Sequence, residues 1–534
     1  MAQIQAKNLS FRYDGGEDVF TDMSFSIDTD WKLGLVGRNG KGKTTLLKLL
    51  MGEYEYRGKI LSSEPFEYFP YTVSDPDKNT IDILDEVCPD GEFWMLLREM
   101  NLLELREETL FRPFSTLSRG EQTKAFLAAL FCREGRFLLI DEPTNHLDTE
   151  GRRLVSRYLN GKKGFILVSH DRNFLDGCID HVMALNRESI EIVQGSFSSW
   201  QENRERQDAF SRQENEKLKR EIGRLQASAA SSCAWADQSE RMKIGTGAFV
   251  EGKFIGSRSY LGEKSRKMQQ RRKNLERRQE RAIQEKKQLL KDVEEEQPLK
   301  ILPLVHWKKE LLRVSNLRLS YQMGEEESDV SQREESHGLS FALEQGKRIA
   351  LTGGNGGGKS SVLLEILKTA CRETEKASEA AKTGNLCMKA WNRLQRLSGE
   401  LSLPSDLKIS YVPQDASFLT GDLTEFALKQ GADPSLFFAV LRKLDIPREL
   451  FQKPMEQYSE GQKKKVLLAR SLCDQAHLYV WDEPLNYIDI FSRMQIEEVI
   501  RSNHLTMLLV EHDQAFLEAV EAEQIPVGAV LGGR

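Results

Sequence analysis

Two stretches of this 534-residue chain carry the residue types that hold a run of phosphates. Gly37-Arg-Asn-Gly-Lys-Gly42-Lys43-Thr44 and Gly353-Gly-Asn-Gly-Gly-Gly358-Lys359-Ser360 both fit the pattern GxxxxGK[ST]. In such a loop the glycines let backbone N–H groups close on phosphate oxygens. The lysine reaches the terminal phosphates, and the hydroxyl that follows ligates Mg²⁺. Downstream, an acidic pair follows an apolar run: Asp141-Glu142 after Phe137 to Ile140, and Asp482-Glu483 after Leu478 to Trp481. A histidine comes next, His170 at 28 residues beyond Glu142 and His512 at 29 residues beyond Glu483. Phosphoryl transfer to water needs charge neutralisation and an oriented nucleophile more than covalent help, and these groups supply both.

Such groups act only when strands and helices place them. Lys32 to Val36 and Arg348 to Leu351 are short apolar strands running into the two loops, and Thr45 to Leu50 continues the first loop as a helix. That strand–loop–helix setting is the one the motif requires. Asn8 to Tyr13 alternates like a strand and ends in an aromatic. Before each acidic pair lies a polar, Gly-bearing helix start, Leu117-Ser118-Arg119-Gly120-Glu121 and Tyr458-Ser459-Glu460-Gly461-Gln462. The interval from Ser118 to Glu142 is 24, as is that from Ser459 to Glu483, and Asp148 and Asp489 each lie 6 residues past the glutamate. Matched features at matched spacing mark an internal duplication. The copies differ in length: Lys43 to Glu142 spans 99 residues and Lys359 to Glu483 spans 124. Most of the surplus falls in Thr369 to Glu400, expected to be a helical surface insertion, and the acidic Gly324 to Ser336 is expected to be a flexible loop.

Between the copies lies a charged segment of about a hundred residues. Leu218, Ile222 and Leu225 recur at spacings of four and three; Leu261, Met268 and Leu275 recur every seven, with Ile283, Leu289 and Val293 continuing the stripe. Two such seams predict an antiparallel coiled-coil hairpin, with a turn at about Ser232 to Ser257 standing on the order of 45 Å from its base. Residues 241–290 hold 15 Lys or Arg against 5 Asp or Glu, although the whole chain is −6. A solvated helix face usually mixes signs, so this one-sided charge points to a polyanion bound through phosphates. Trp235, Met242, Phe249, Phe254 and Ile255 in the turn either stack on splayed bases or pack the tip on itself.

The length allows two or three domains with their own cores, and a mean hydropathy of −0.50 describes a water-soluble chain. No stretch approaches 18 uninterrupted apolar residues, and Met1 to Ser10 lacks the apolar core expected of a signal peptide. The seven cysteines are scattered without a CxxC pair and are expected to be reduced thiols.

In order and spacing these stretches resemble a tandem ATP-binding-cassette protein, and the resemblance covers both lobes. It implies an α/β fold: two P-loop cassettes at 1–198 and 306–534, joined by a hairpin linker at 199–305. It also implies that each nucleotide is sandwiched between the phosphate loop of one lobe and the signature stretch of the other. ATP would then meet Tyr13, Gly37, Asn39, Gly40, Gly42, Lys43, Thr44 and Thr45 opposite Ser459 and Gly461. A second ATP would meet Tyr321, Gly353, Asn355, Gly356, Gly358, Lys359, Ser360 and Ser361 opposite Ser118 and Gly120. Mg²⁺ would be held by Thr44, Asp141, Ser360, Asp482 and Gln414. Glu142 and Glu483 would polarise the attacking water, His170 and His512 would orient the γ-phosphate, and Tyr13 and Tyr321 would stack on adenine. The chain departs from the family pattern where Tyr68-Phe-Pro-Tyr71 puts a phenol at the place of Gln414 in Tyr411-Val-Pro-Gln414, and where Arg119 and Glu460 replace a signature glycine.

With no membrane segment and a basic hairpin between its cassettes, the chain resembles the ABC-F branch. Ser169-His-Asp-Arg-Asn-Phe-Leu175 and Gly195-Ser-Phe-Ser-Ser-Trp200 agree. That likeness implies a cytoplasmic monomer, with its cassettes paired internally and no membrane partner. The hairpin would enter the exit-tRNA site of the ribosome, against 23S rRNA and the P-site tRNA. The long tip, the stretch Asp30 to Gly37 and the short interval from Met51 to Glu67 resemble resistance members of the Lsa and VmlR type. They imply protection against lincosamides, pleuromutilins and streptogramin A compounds. A housekeeping translation factor of the same branch, an exporter's ATPase subunit and a DNA-associated ATPase with a coiled-coil arm are the rival readings.

Overall fold

In the computed structural model, the apolar runs that lead into the phosphate loops and the acidic pairs are central strands of two parallel sheets. The structure describes residues 3–241, apart from 14, 16, 17, 90, 134, 146, 187 and 188. It also describes 301–528, apart from 302, 322–337, 355 and 374–393. The chain divides into a unit formed by 1–198 and 298–534 and a second formed by 199–297.

The first lobe opens with β1 (Gln3–Arg12) paired antiparallel to β2 (Asp18–Asp28). Next come β3 (Lys32–Val36), β4 (Arg57–Leu61), β5 (Phe66–Phe69), β6 (Phe137–Asp141), β7 (Phe165–Val168), β8 (His181–Leu185) and β9 (Ile190–Gln194). β2-β1-β4 form one small sheet, and β5-β6-β7-β3-β8-β9 form the main one, parallel except for the β8–β9 pair. β6 and β7 are buried along nearly their whole length, as strands covered on both faces must be, whereas β1 alternates. Helices Lys43–Met51, Arg119–Phe131 and Thr149–Asn160 follow the phosphate loop, the signature stretch and Asp148.

The second lobe repeats this plan. β10 (Glu310–Tyr321), β11 (Leu339–Glu344), β12 (Arg348–Thr352), β13 (Leu394–Ser402), β14 (Ile409–Val412), β15 (Leu478–Asp482), β16 (Met507–Val510) and β17 (Glu523–Pro526) make two sheets, β11-β10-β13 and the all-parallel β14-β15-β16-β12-β17. Put β14, β15, β16, β12 and β17 beside β5, β6, β7, β3 and β8, and the strand order is the same. The duplication seen in the spacing is thus a duplication of topology. Of the stretch Thr369 to Glu400, expected to be helical, residues up to Glu373 close the helix Lys359–Glu373 and Leu394 onward belongs to β13, so the surplus narrows to positions outside the described residues. The acidic segment Gly324 to Ser336 also lies outside them.

In the second unit the helix Phe197–Arg241 runs for 45 residues, about 68 Å at 1.5 Å per residue. Ion pairs Arg206–Glu202 and Arg220–Glu216, one helical turn apart, lie along it. It passes through Ser232, so Ser232 to Arg241 of the expected turn are helical. Five alanines between Ala227 and Ala236, the strongest helix formers, favour continuation of the helix. The rest of the tip and the return leg lie outside the described residues. No helix among the described residues is long and apolar enough to cross a membrane.

Candidate functional site

β3 delivers the chain to Gly37, and the helix Lys43–Met51 starts from Gly42 in the left-handed region at φ 92°. A Cβ there would stand 2.7 Å from Val19 and 2.8 Å from the Phe20 ring, so both the turn and the space demand glycine. The loop closes on its own lysine. Lys43 Nζ donates to Gly37 O at 2.6 Å, with Arg38 O and Asn39 Oδ1 at 3.3 Å. Lys359 Nζ does the same to Gly353 O at 2.8 Å and Gly354 O at 2.9 Å. Both lysines are buried and hydrogen-bonded only to neutral oxygens, and burial lowers the pKa of each. A buried cation without an anion in contact is one that a phosphate chain fits.

The hydroxyls after the lysines reach the ends of β6 and β15: Thr44 Oγ1 donates to Asp141 Oδ2 at 2.9 Å and Ser360 Oγ to Asp482 Oδ1 at 3.1 Å. Burial, with Glu483 next to it, pushes the Asp482 carboxyl up to about 7, and burial also raises that of Asp141. An arriving cation would favour the charged form of both carboxyls. Among the described residues no group of three or more His, Cys, Asp or Glu side chains could hold a metal alone. Hydroxyl and carboxylate oxygens plus an amide suit Mg²⁺ arriving with phosphates, which supply the remaining ligands.

Glu142 and Glu483 stand in the left-handed region, at φ 54° and 44°. Such backbone costs a non-glycine residue about 1–3 kcal/mol, and the same strain at the same place in both lobes marks a position held for its side chain. Burial and Asp141 push Glu142 up to about 8. His170 Nε2 lies 3.2 Å from Glu142 Oε1, yet out of line for a hydrogen bond, so Oε1 is buried without a partner. His512 Nε2 is likewise buried and unpartnered. Burial, then Lys359, lowers the His512 pKa to about 4, and burial holds His170 well below the ordinary range. Both rings are therefore neutral at pH 7.

The lobes face each other. Asn39 Nδ2 donates to Tyr487 O at 3.0 Å, and Arg38 pairs with Asp445 at 2.5 Å. Arg172 pairs with Glu497. Position 461 explains its glycine: a Cβ there would meet Tyr487 O at 2.4 Å and Asn39 Nδ2 at 3.4 Å. The first phosphate loop thus lies against the second lobe's signature stretch. In the reverse direction a Cβ at Gly354 would lie 3.8 Å from Asp148 Oδ2, but among the described residues no hydrogen bond joins Ser118 or Gly120 to the second loop. Ser118 and Ser459 both cap their helices, Ser118 bonded to the Glu121 carboxylate and Ser459 to the Gln462 amide.

Around the first acidic pair, Tyr71 is turned away from the site. Its hydroxyl donates to Glu67 at 3.2 Å, its ring packs on Phe126, and Arg133 and Arg136 hold Glu67 from the other side. Tyr68 takes the place beside Asp141, donating at 3.1 Å. In the second lobe, Gln414 Nε2 donates to Glu483 Oε2 at 2.7 Å and Asn486 Nδ2 to the same oxygen at 2.8 Å. Tyr13 lies at the start of the first helix, its hydroxyl 2.8 Å from Thr45 Oγ1 and its ring edge-on to Phe11 and Tyr54. Gly40 closes the first loop at φ 78°, Gly356 and Gly358 turn the second at φ 81° and 93°, and Ser361 is buried behind them. Asn355 and the side chain of Tyr321 lie outside the described residues.

The structure brings to the site several groups to which the sequence reading gave no role, Asp489 being noted there only for its spacing. Asp489 caps the helix Ile490–Ser502 and pairs with Lys465 at 2.9 Å. Arg493 pairs with Asp513 at 2.6 Å, as Arg152 does with Asp171 at 3.0 Å. Lys464 is buried next to Asp482 and Glu483, and burial lowers its ammonium to about 8 against the pull of those carboxylates. The matched spacing of Asp148 and Asp489 was the one available signal.

The ABC transporter family model matches residues 20–145 and 336–486. Ribosome protection protein VmlR of Bacillus subtilis is 25% identical over 94% of this chain and 82% of its own length. Energy-dependent translational throttle protein EttA of Haemophilus influenzae is 24% identical over 96% and 89%. Among solved structures, the complex of archaeal ribosomal stalk protein aP1 with the ribosome recycling factor aABCE1 superposes with a TM-score of 0.59 at 18% identity, covering 97% of this chain and 87% of the other. That likeness carries the fold.

Proposed function

Since the chain belongs to the ABC transporter family of ATPases, in its ABC-F branch, we propose that it uses two interfacial ATP sites to bind and leave the ribosome, protecting the peptidyl-transferase region from antibiotics. The observation that carries the reading is the pair of phosphate loops turned toward opposite lobes, Asn39 against Tyr487 and Gly354 against Asp148, in a chain whose linker begins as a 45-residue helix. A site shared between lobes is complete only when they are together, so ATP, which binds the closed form preferentially, shifts the chain toward it. The basic stretch 241–290 supplies the charge for an RNA partner. One relative is named for ribosome protection and another for throttling translation, which supports a ribosomal target. On this reading the chain is a cytoplasmic monomer whose hairpin enters the exit-tRNA region, against 23S rRNA and the P-site tRNA.

In each site the lysine, Lys43 or Lys359, would neutralise the terminal phosphates, and Thr44 with Asp141, or Ser360 with Asp482 and Gln414, would hold Mg²⁺, which would supply charge withdrawal at the phosphate being cleaved. Burial favours the neutral form of Glu142; the charge of an arriving cation would favour its ionised form, in which it, like Glu483, would accept a proton from the attacking water. Neutral His170 and His512 each offer a ring N–H to the developing charge. Tyr13 and Tyr321 stack on adenine, and Ser459 with Gly461, or Ser118 with Gly120, closes each site from the opposite lobe.

The test is the pair Glu142→Gln and Glu483→Gln in one chain. Hydrolysis should fall at least a hundredfold by the usual worth of a catalytic base, and the protein should remain on ribosomes when ATP is present. Free exchange from ribosomes with ATP bound would end the binding-and-release reading. Inhibitory concentrations of lincomycin and tiamulin, with and without expression, separate drug protection from a general translation role.

A further inference from the structure

A buried lysine behind the second acidic pair has no part in the roles above. Lys464 is 2% exposed, on the helix Glu460–Cys473 that starts at the signature stretch. Its ammonium donates to Pro413 O at 2.9 Å and to Glu483 O at 3.1 Å. Pro413 precedes Gln414, so one cation bridges the backbone of the segment carrying the amide to the backbone of the strained turn carrying the carboxylate. The side chains of those two neighbours then meet, Gln414 on Glu483 at 2.7 Å. We propose that Lys464 is a positioning residue for ATP hydrolysis at the second acidic pair, fixing Glu483 and Gln414 relative to each other through their main chains.

The first lobe shows what happens without it. Counting from the signature serines, Thr123 stands where Lys464 does, and its hydroxyl turns back to Arg119 O in its own helix at 3.0 Å. Among the described residues no side-chain cation there bridges the two segments. Tyr71 points to Glu67, and among the described residues no hydrogen bond reaches the Glu142 carboxylate. Site order and lysine go together: Glu483 Oε2 holds two amide donors where the bridge exists. A lysine suits the task because one ammonium carries three donors in tetrahedral array and charge strengthens each bond to a carbonyl.

The inference rests on the hydrolytic role proposed for Glu483 and not on the ribosome. Lys464→Thr installs the first lobe's residue, and Lys464→Gln retains one donor group that can reach a single carbonyl. Amide exchange in the nucleotide-free chain reads the bridge, and kcat with KM for ATP reads its consequence. In Lys464→Thr, exchange of peptides within 410–416 and 482–487 should rise about tenfold or more, with 67–73 and 141–146 unchanged. Its kcat should fall fivefold or more with KM within twofold, and Lys464→Gln should lie between. Exchange rising equally through the central strands β15 and β16 would make Lys464 mere core filling and overturn the proposal. So would unchanged exchange, and so would local exchange with unchanged kcat, which would separate the bridge from turnover.

Discussion

The pair formed by Lys465 and Asp489 offers the sharpest energetic test of how the second lobe presents itself to the first phosphate loop. The ions are 2.9 Å apart, with side chains 3% and 0% exposed. Asp489 also accepts Ser492 N–H and Ser492 Oγ–H, each at 2.9 Å. Burial works against its charge, but Lys465 and these donors prevail and hold its pKa below the ordinary carboxylate value. Lys465→Met leaves a buried carboxylate alone, and Asp489→Asn leaves a buried ammonium; each should cost about 3–5 kcal/mol in unfolding free energy. The double variant removes both charges and keeps the amide as helix cap, so it should cost about 1–2 kcal/mol. Singles that sum to about 6–10 against such a double give a coupling of several kcal/mol in a double-mutant cycle by urea titration. The pH sign differs between variants. In the parent, a depressed pKa makes the contribution present above the unfolded value near 3.9 and lost as pH falls below it. In Lys465→Met burial acts unopposed by the lysine, so the loss should ease as pH drops from 7 toward 5. Singles that each cost about 1 kcal/mol or less and simply add would refute the buried-pair reasoning.

Three further outcomes follow from the same geometry. Arg38→Ala removes a cross-lobe ion pair whose side chains are 26% and 21% exposed; solvent screening limits the loss to about 1 kcal/mol, a few-fold weaker ATP binding by competition titration, and Asp445→Asn should give no more when combined with it. Gly461→Ala drives a Cβ into Tyr487 O, so ATP turnover should fall about tenfold or more, while the melting of the isolated lobes' cores changes little by calorimetry. His512, held near 4 by burial and Lys359, stays neutral while the unfolded chain takes up a proton, so stability should decline as pH falls from about 6.5 to 4, by a few kcal/mol at most, and His512→Asn should remove that slope in pH-dependent urea titrations.

The sequence made the short-range architecture legible because its constraints are local. A glycine before a helix, a hydroxyl after a lysine and an acid at the end of an apolar strand each follow from backbone geometry over a few residues. The doubled spacing extended this to the likeness of the two lobes, whose common strand order the structure then supplied. Direction of side chains after a turn was not legible. Tyr71 stands at the place of the amide in the alignment of the two lobes, but Glu67, pinned by Arg133 and Arg136, draws its hydroxyl to the other side, and Tyr68 fills the space beside Asp141. Nor could Lys463, Lys464 and Lys465 be sorted from the sequence, since three lysines in a row look like a solvated face. All three are buried, because the helix lies between the acidic turn of β15 and Asp489. Long helices fray from sequence view at their ends for the same reason: nothing in Ala227 to Ala236 says where to stop.

The left-handed backbone at Glu142 and Glu483 has a consequence for how this chain can change. Glycine at either place would relax the turn, so a variant that abandons hydrolysis there should outlast its parent on heating. Drift toward robustness and retention of turnover pull in opposite directions at two defined positions, and heat-selected libraries of this gene should lose their glutamates there first.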